Sequence, residues 1–126
     1  MSQRPILLYD GQCPLCKREI AHYKRLDIDR RVDWRDLFDP ASDLETLGID
    51  AWSAMSVIHA VAPDGRIHTG VHAFMLIWRE LPCYRHLATV IETLRLTGLL
   101  DKLYHRFARW RFRSRCKQGC GLPPQP

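Results

Sequence analysis

Two cysteines, Cys13 and Cys16, stand three residues apart in the stretch "YDGQCPLCKRE", with Asp10 just ahead of them. Residues of these types at this spacing can do chemistry, because a Cys-x-x-Cys pair either closes into a redox-active disulfide or supplies half of a zinc site. If Cys13 caps a helix that begins at Pro14, its sulfur lies beside unpaired backbone N–H groups at the positive end of the helix dipole. Cysteines so placed ionise at about pH 3.5–7.5 instead of about 8.5, so Cys13 is the expected nucleophile. Cys16, one turn further along and on the inner side of the helix, is the expected resolving thiol, and Cys13 the more exposed of the two. Asp10 can accept a proton from a cysteine or hold the turn by hydrogen bonds. The turn is preferred, since Asp before Gly is common turn chemistry. Gly11 is expected to supply a backbone conformation closed to other residues.

The elements around the pair must hold it in place. "PILLY" is short and apolar and starts with a proline, as a buried strand does. From Pro14, a residue well suited to a first helical turn, Cys16, Ile20 and Tyr23 recur at helical spacing against Lys17, Arg18, Lys24 and Arg25. "RVDWRDL" alternates as a second strand, and a short helix is expected near residues 42–47. "MSVIHAVA" and "RIHTG" flank "PDG", a hairpin signal in which Gly65 takes positive φ. Three helices follow, carried by the stripes Val71/Phe74/Met75/Trp78, Leu87/Val90/Ile91/Leu94 and Leu100/Leu103/Phe107/Trp110. A strand-helix-strand unit plus a hairpin gives an α/β fold with a mixed sheet covered by helices. The cysteines fall at the carboxyl end of its first strand, the edge that favours active sites.

With 46% hydrophobic and 26% charged residues, the chain has the composition of a folded globular protein and the length of one core. Near the N-terminus only Ile6–Tyr9 form an unbroken apolar or aromatic run, too short for a signal-peptide core or a membrane span, so a cytoplasmic location is expected. Five cysteines, Cys13, Cys16, Cys83, Cys116 and Cys120, are an odd count that does not suit a secreted disulfide framework. The net charge of +5 is concentrated near the C-terminus. The run Arg106, Arg109, Arg111, Arg113 and Arg115 suggests contact with nucleic acid or anionic lipid, but a solvated face on a packed helix is the preferred reading, with Phe107 and Trp110 supplying the packing. Cys83 reads as a buried small hydrophobe. The histidines, among them His22, lack metal-site spacing, and no phosphate loop, His-Glu-x-x-His or serine elbow is present, so no cofactor and no metal are expected.

"LLYDGQCPLCKRE" resembles the signature of the DCC family of thiol-disulfide oxidoreductases, named for an aspartate and two cysteines, here Asp10, Cys13 and Cys16. "VAPDGRIHTGVHAFMLIWRELP" resembles the family's hairpin, Gly-x-x-Ala-Phe turn and following helix, and "LYHRFARWRFR" its basic last helix. The resemblance spans residues 6 to about 115 and implies a thioredoxin-like mixed sheet flanked by helices; with the extra C-terminal helices the domain is placed at residues 1–115, and the glycines and prolines of 116–126 suggest a flexible Cys/Gly/Pro tail. It implies a redox-active dithiol acting on a protein or small-molecule thiol or disulfide. The place where thioredoxins carry a cis-proline facing the cysteines is assigned to Met55 or Ser56. A second reading remains: a non-catalytic thioredoxin-like binding module, stabilised by zinc through Cys13/Cys16 and Cys116/Cys120.

Overall fold

The computed structural model describes residues 4–117. Strand β1 (Ile6–Tyr9) leads into helix α1 (Pro14–Leu26), and strand β2 (Asp33–Asp36) follows. A 3₁₀ turn (Pro40–Ser42) and the short helices α2 (Leu44–Leu47) and α3 (Ala51–Ser56) connect to the hairpin β3 (His59–Val61) and β4 (Ile67–Thr69). Helices α4 (Val71–Trp78), α5 (Tyr84–Thr93) and α6 (Thr97–Lys117) complete the order. The sheet runs β2-β1-β3-β4, with β1 parallel to β2 and β3 antiparallel to both β1 and β4. This is the mixed, helix-covered sheet that the sequence implies. The hairpin turns where expected, with Gly65 at φ 89°.

Successive strand residues face opposite sides of a sheet, so adjacent apolar residues in β1 and β3 serve two cores. Leu7 and Ala60 pack with Ile20 and Tyr23 of α1 and Ala73 and Ile77 of α4. Leu8 and Val61 pack on the other face with Ala54 and Met55 of α3. Leu7 and Leu8 are fully buried, and each such side chain contributes about 1.5–3 kcal/mol relative to exposure. α1 is held to β2 by Asp27, whose carboxylate accepts from the Arg31 and Val32 amides and the Trp34 indole at 2.8, 3.1 and 3.1 Å.

Three details depart from expectation. Asp50 caps α3 by accepting from the Ser53 amide at 3.1 Å, so Met55 and Ser56 end a helix and β3 starts only at His59. The residues leading into β3 are Val57 and Ile58, so the position assigned to Met55 or Ser56 shifts to them. In α5 the buried residues are Ala88 and Ile91, whereas Leu87, Val90 and Leu94 are exposed. In α6 the inner stripe is Leu100, Tyr104, Ala108 and Arg111, and Leu103, Phe107 and Trp110 lie outside it. The small Ala108 allows close approach, and three polar anchors set the rotation of α6: Asp101, Tyr104 and Arg111. The Asp101 carboxylate accepts from the Val71 amide at 3.0 Å, beside Gly70, where a Cβ would overlap that carboxylate.

α6 extends through Cys116 to Lys117; the side chain of Cys116 and the whole of Cys120 lie outside the described residues. No described helix is long and apolar enough to cross a membrane.

Candidate functional site

Cys13 is the N-cap of α1, with extended backbone and Pro14 just inside the helix. Its Sγ accepts from the Cys16 backbone N–H at 3.5 Å, so the sulfur sits over the helix N-terminus as the spacing requires. The loop in front is built by two carboxylates. Asp10 accepts from the Gln12 amide at 3.0 Å through its side chain and from the Cys13 amide at 3.2 Å through its carbonyl. Asp36, at the end of β2, accepts from the Gly11 and Phe38 amides at 3.2 and 3.0 Å. Gly11 is not at positive φ; a Cβ there would overlap the Asp36 carboxylate, so the need for glycine is one of space.

The exposures of the two thiols are reversed from expectation. Capping folds the Cys13 sulfur back onto the first helical turn and leaves the residue 4% exposed, while Cys16 is only partly buried. Burial nevertheless dominates the acidity of Cys16, pushing its thiol up to about 12; a hydrogen bond to Cys13 and the charge of Asp10 act in the same direction, and Arg111 opposes them. Cys16 is thus a protonated thiol at neutral pH. Both cysteines are free.

Arg111 is the site residue that sequence reasoning missed. It is 8% exposed, and its Nη2 donates to the Met55 carbonyl at 2.6 Å. Its Nη1 lies 3.8 Å from Asp10 Oδ2, in an ion pair almost wholly withdrawn from water. The same Nη1 has no hydrogen-bond partner among the described residues. A charge run alone gives no sign of which arginine turns inward. The available signal was the i, i+4, i+7 relation of Tyr104, Ala108 and Arg111 on one helical stripe.

A cavity of about 230 Å³ lies beside Cys16. Cys16, Asp10, Glu19 and Arg111 form its polar part, and Leu15, Ile58, Phe74 and Phe107 are among its apolar walls. Glu19 accepts from the Tyr23 hydroxyl at 2.9 Å, and that hydroxyl accepts from the Trp78 indole at 3.2 Å. Desolvation raises the Glu19 carboxyl above its ordinary range, against the opposing hydrogen bond from Tyr23. Tyr104 stays protonated, its phenol pushed up to about 12 by burial, and accepts from the Ile58 backbone N–H at 2.9 Å.

The three residues singled out from the sequence, Asp10, Cys13 and Cys16, are therefore brought together. Others are not. His22 is exposed and meets the Tyr84 hydroxyl at 3.0 Å. Cys83 is exposed just ahead of α5 instead of buried, because the turn after α4 directs Leu81 inward in its place. Among the described residues, no group of three or more His, Cys, Asp or Glu is placed to hold a metal ion.

The chain matches the DCC1-like thiol-disulfide oxidoreductase family over residues 7–117. It is 30% identical over 107 residues to an uncharacterized chloroplastic protein of Arabidopsis thaliana, a match covering 83% of this chain and 50% of that protein. The chain thus spans about half the length of this curated relative. No solved structure matches it.

Proposed function

Because this chain belongs to the DCC1-like thiol-disulfide oxidoreductase family, we propose that it exchanges disulfides through Cys13 and Cys16, with Cys13 attacking and Cys16 resolving. The observation that carries this assignment is the contact of Cys13 Sγ with the Cys16 N–H at the start of α1. Helix N-terminal N–H groups stabilise the negative charge that a sulfur carries into and out of exchange. Cys16, by contrast, is held protonated by burial until it is needed.

In the reducing direction, the Cys13 thiolate attacks one sulfur of a substrate disulfide. The new Cys13–substrate disulfide forms as the substrate's own S–S bond breaks, and the first thiolate leaves. Cys16 then gives up its proton and attacks Cys13 Sγ, closing the protein disulfide and expelling the second thiolate. The protein loses two electrons and the substrate gains them; the protons of the two cysteines balance those taken up by the two leaving thiolates. Oxidation of a substrate dithiol runs the same steps backwards.

Asp10 serves this chemistry by shaping the loop and pairing with Arg111, and its charge helps keep Cys16 protonated. The cytoplasm is our proposed setting, on the ground that an odd number of cysteines forms no closed disulfide framework.

The test is trapping. A Cys16→Ser variant mixed with a small disulfide should accumulate a mixed disulfide at Cys13, read by mass spectrometry. Cys13→Ser should accumulate little. Equal trapping by both variants would overturn the assignment of the two thiols.

A further inference from the structure

Extending the dithiol reading, on which it rests, we propose that the cavity beside Cys16 is the binding site for an uncharged low-molecular-weight thiol or disulfide with a carbonyl group, the carbonyl accepting from Arg111 Nη1.

Three observations define the ligand. The first is a buried nitrogen that makes no hydrogen bond. Arg111 is more than nine-tenths buried, lines the cavity, and has an Nη1 without a hydrogen-bond partner among the described residues. A buried donor left unsatisfied costs about 1–3 kcal/mol, more when charged, so an acceptor supplied by a ligand recovers that energy.

The second is charge. Asp10 Oδ2 already lies 3.8 Å from Nη1, and Glu19 places a second carboxyl on the cavity wall. A carboxylate ligand would meet these groups at short range in a partly desolvated space, whereas a carbonyl takes the same hydrogen bond without that repulsion. Leu15, Ile58, Phe74 and Phe107, among the other walls, suit an apolar body.

The third is size and access. About 230 Å³ is below the roughly 300–1,000 Å³ of pockets for drug-sized ligands, so the occupant is smaller. An extended polypeptide would need free backbone groups beside the dithiol. At Ile58 the N–H is taken by Tyr104 at 2.9 Å and the carbonyl by the Gly70 amide at 3.1 Å. The loop before β3 therefore offers no strand-like docking at that residue.

The test uses reduced wild-type protein and a probe with no thiol, N-acetyl-S-methylcysteine methyl ester, compared with its free carboxylate by backbone amide chemical shifts. The ester should perturb the Ile58 and Phe107 amides saturably, and the carboxylate should bind about tenfold more weakly because Asp10 and Glu19 repel its charge. Leu15→Trp, at a residue 52% exposed on the cavity wall, should weaken the ester by about tenfold or more without touching the core. Arg111→Lys, if folded, should do the same because it lacks the guanidinium fork. Absence of saturable shifts at those amides, tighter binding of the carboxylate, or Leu15→Trp without effect would overturn the proposal. The probe cannot exchange disulfides, so trapping at Cys13 without ester binding removes the cavity proposal alone, and ester binding without trapping removes the redox reading.

Discussion

The Tyr104 hydroxyl accepts from the Ile58 backbone N–H at 2.9 Å, joining the third strand's approach to the last helix across 46 residues of sequence. This contact fixes α6 over the dithiol edge of the sheet. Tyr104→Phe removes the acceptor and leaves a partly buried N–H unpaired, at a cost of about 1–3 kcal/mol. Urea unfolding should show that loss, and hydrogen exchange at the Ile58 amide should accelerate. An unchanged exchange rate there would mean that α6 is seated by its apolar stripe alone.

Arg111 should behave unlike its neighbours. Arg111→Met removes the charge paired with the buried Asp10 carboxylate and the donor to the Met55 carbonyl, and loss of one partner of a buried pair costs about 3–5 kcal/mol. Arg109→Gln and Arg113→Gln, on exposed residues, should each stay within about 0.5 kcal/mol. Denaturant midpoints of the three variants decide the matter. Equal, small effects would reduce Arg111 to one more surface charge.

Cys16 and Glu19 give the stability a definite pH dependence. Both groups are acids raised by burial, so the folded state holds their protons more tightly than the unfolded chain. Wherever the folded state binds more protons, stability falls as pH rises. For Cys16 the window runs from its ordinary value of 9.0 to about 12. For Glu19 it starts at 4.5 and ends at its raised folded value. Glu19→Gln keeps an acceptor for the Tyr23 hydroxyl and removes the ionisation. Its Tm should exceed that of the wild type at pH 7 and show a flatter slope between pH 4.5 and 7. A lower Tm at pH 7 would contradict the desolvation assigned to Glu19.

Gly11 and Asp36 should be coupled. Gly11→Ala forces a Cβ into the Asp36 carboxylate, and overpacking of this kind costs about 1–3 kcal/mol. Combined with Asp36→Ala, which vacates the space, it should cost less than the sum of the single losses. Strict additivity in a double-mutant cycle would show that the loop relaxes without cost.

The zinc alternative is tested by removing residues 116–126. A Cys13–Cys16 disulfide should still form on mild oxidation, and protein purified without chelator should carry no stoichiometric zinc. One zinc per chain, lost with the fold on truncation, would favour the binding module.

Much of the site could be read locally. Cys13, Pro14 and Cys16 sit within one helical turn, where capping and spacing rules operate, and the parallel β1–β2 pair follows from a strand-helix-strand order. What could not be read depends on long-range rotation of helices. The stripe Leu103/Phe107/Trp110 is more apolar than Leu100/Tyr104/Ala108/Arg111, yet the second faces inward because its polar atoms meet a backbone amide, a carbonyl and a carboxylate. Hydrophobic periodicity contains no information about such partners. The burial of Cys13 escapes the sequence for a related reason: the spacing locates the cap, while the direction in which its sulfur folds is a property of the finished loop.

The pairing of Asp10 with Arg111 also has a consequence during synthesis. At about 5–20 residues per second, the ribosome takes about 5–20 s to add the stretch between them. Through that interval the nascent chain carries both cysteines but neither the arginine nor the helix that later pairs with Asp10. The segment that holds Asp10 and Cys16 is therefore made without its last wall, and the docking of the final helix, which brings Tyr104, Phe107 and Arg111, completes the cavity beside Cys16.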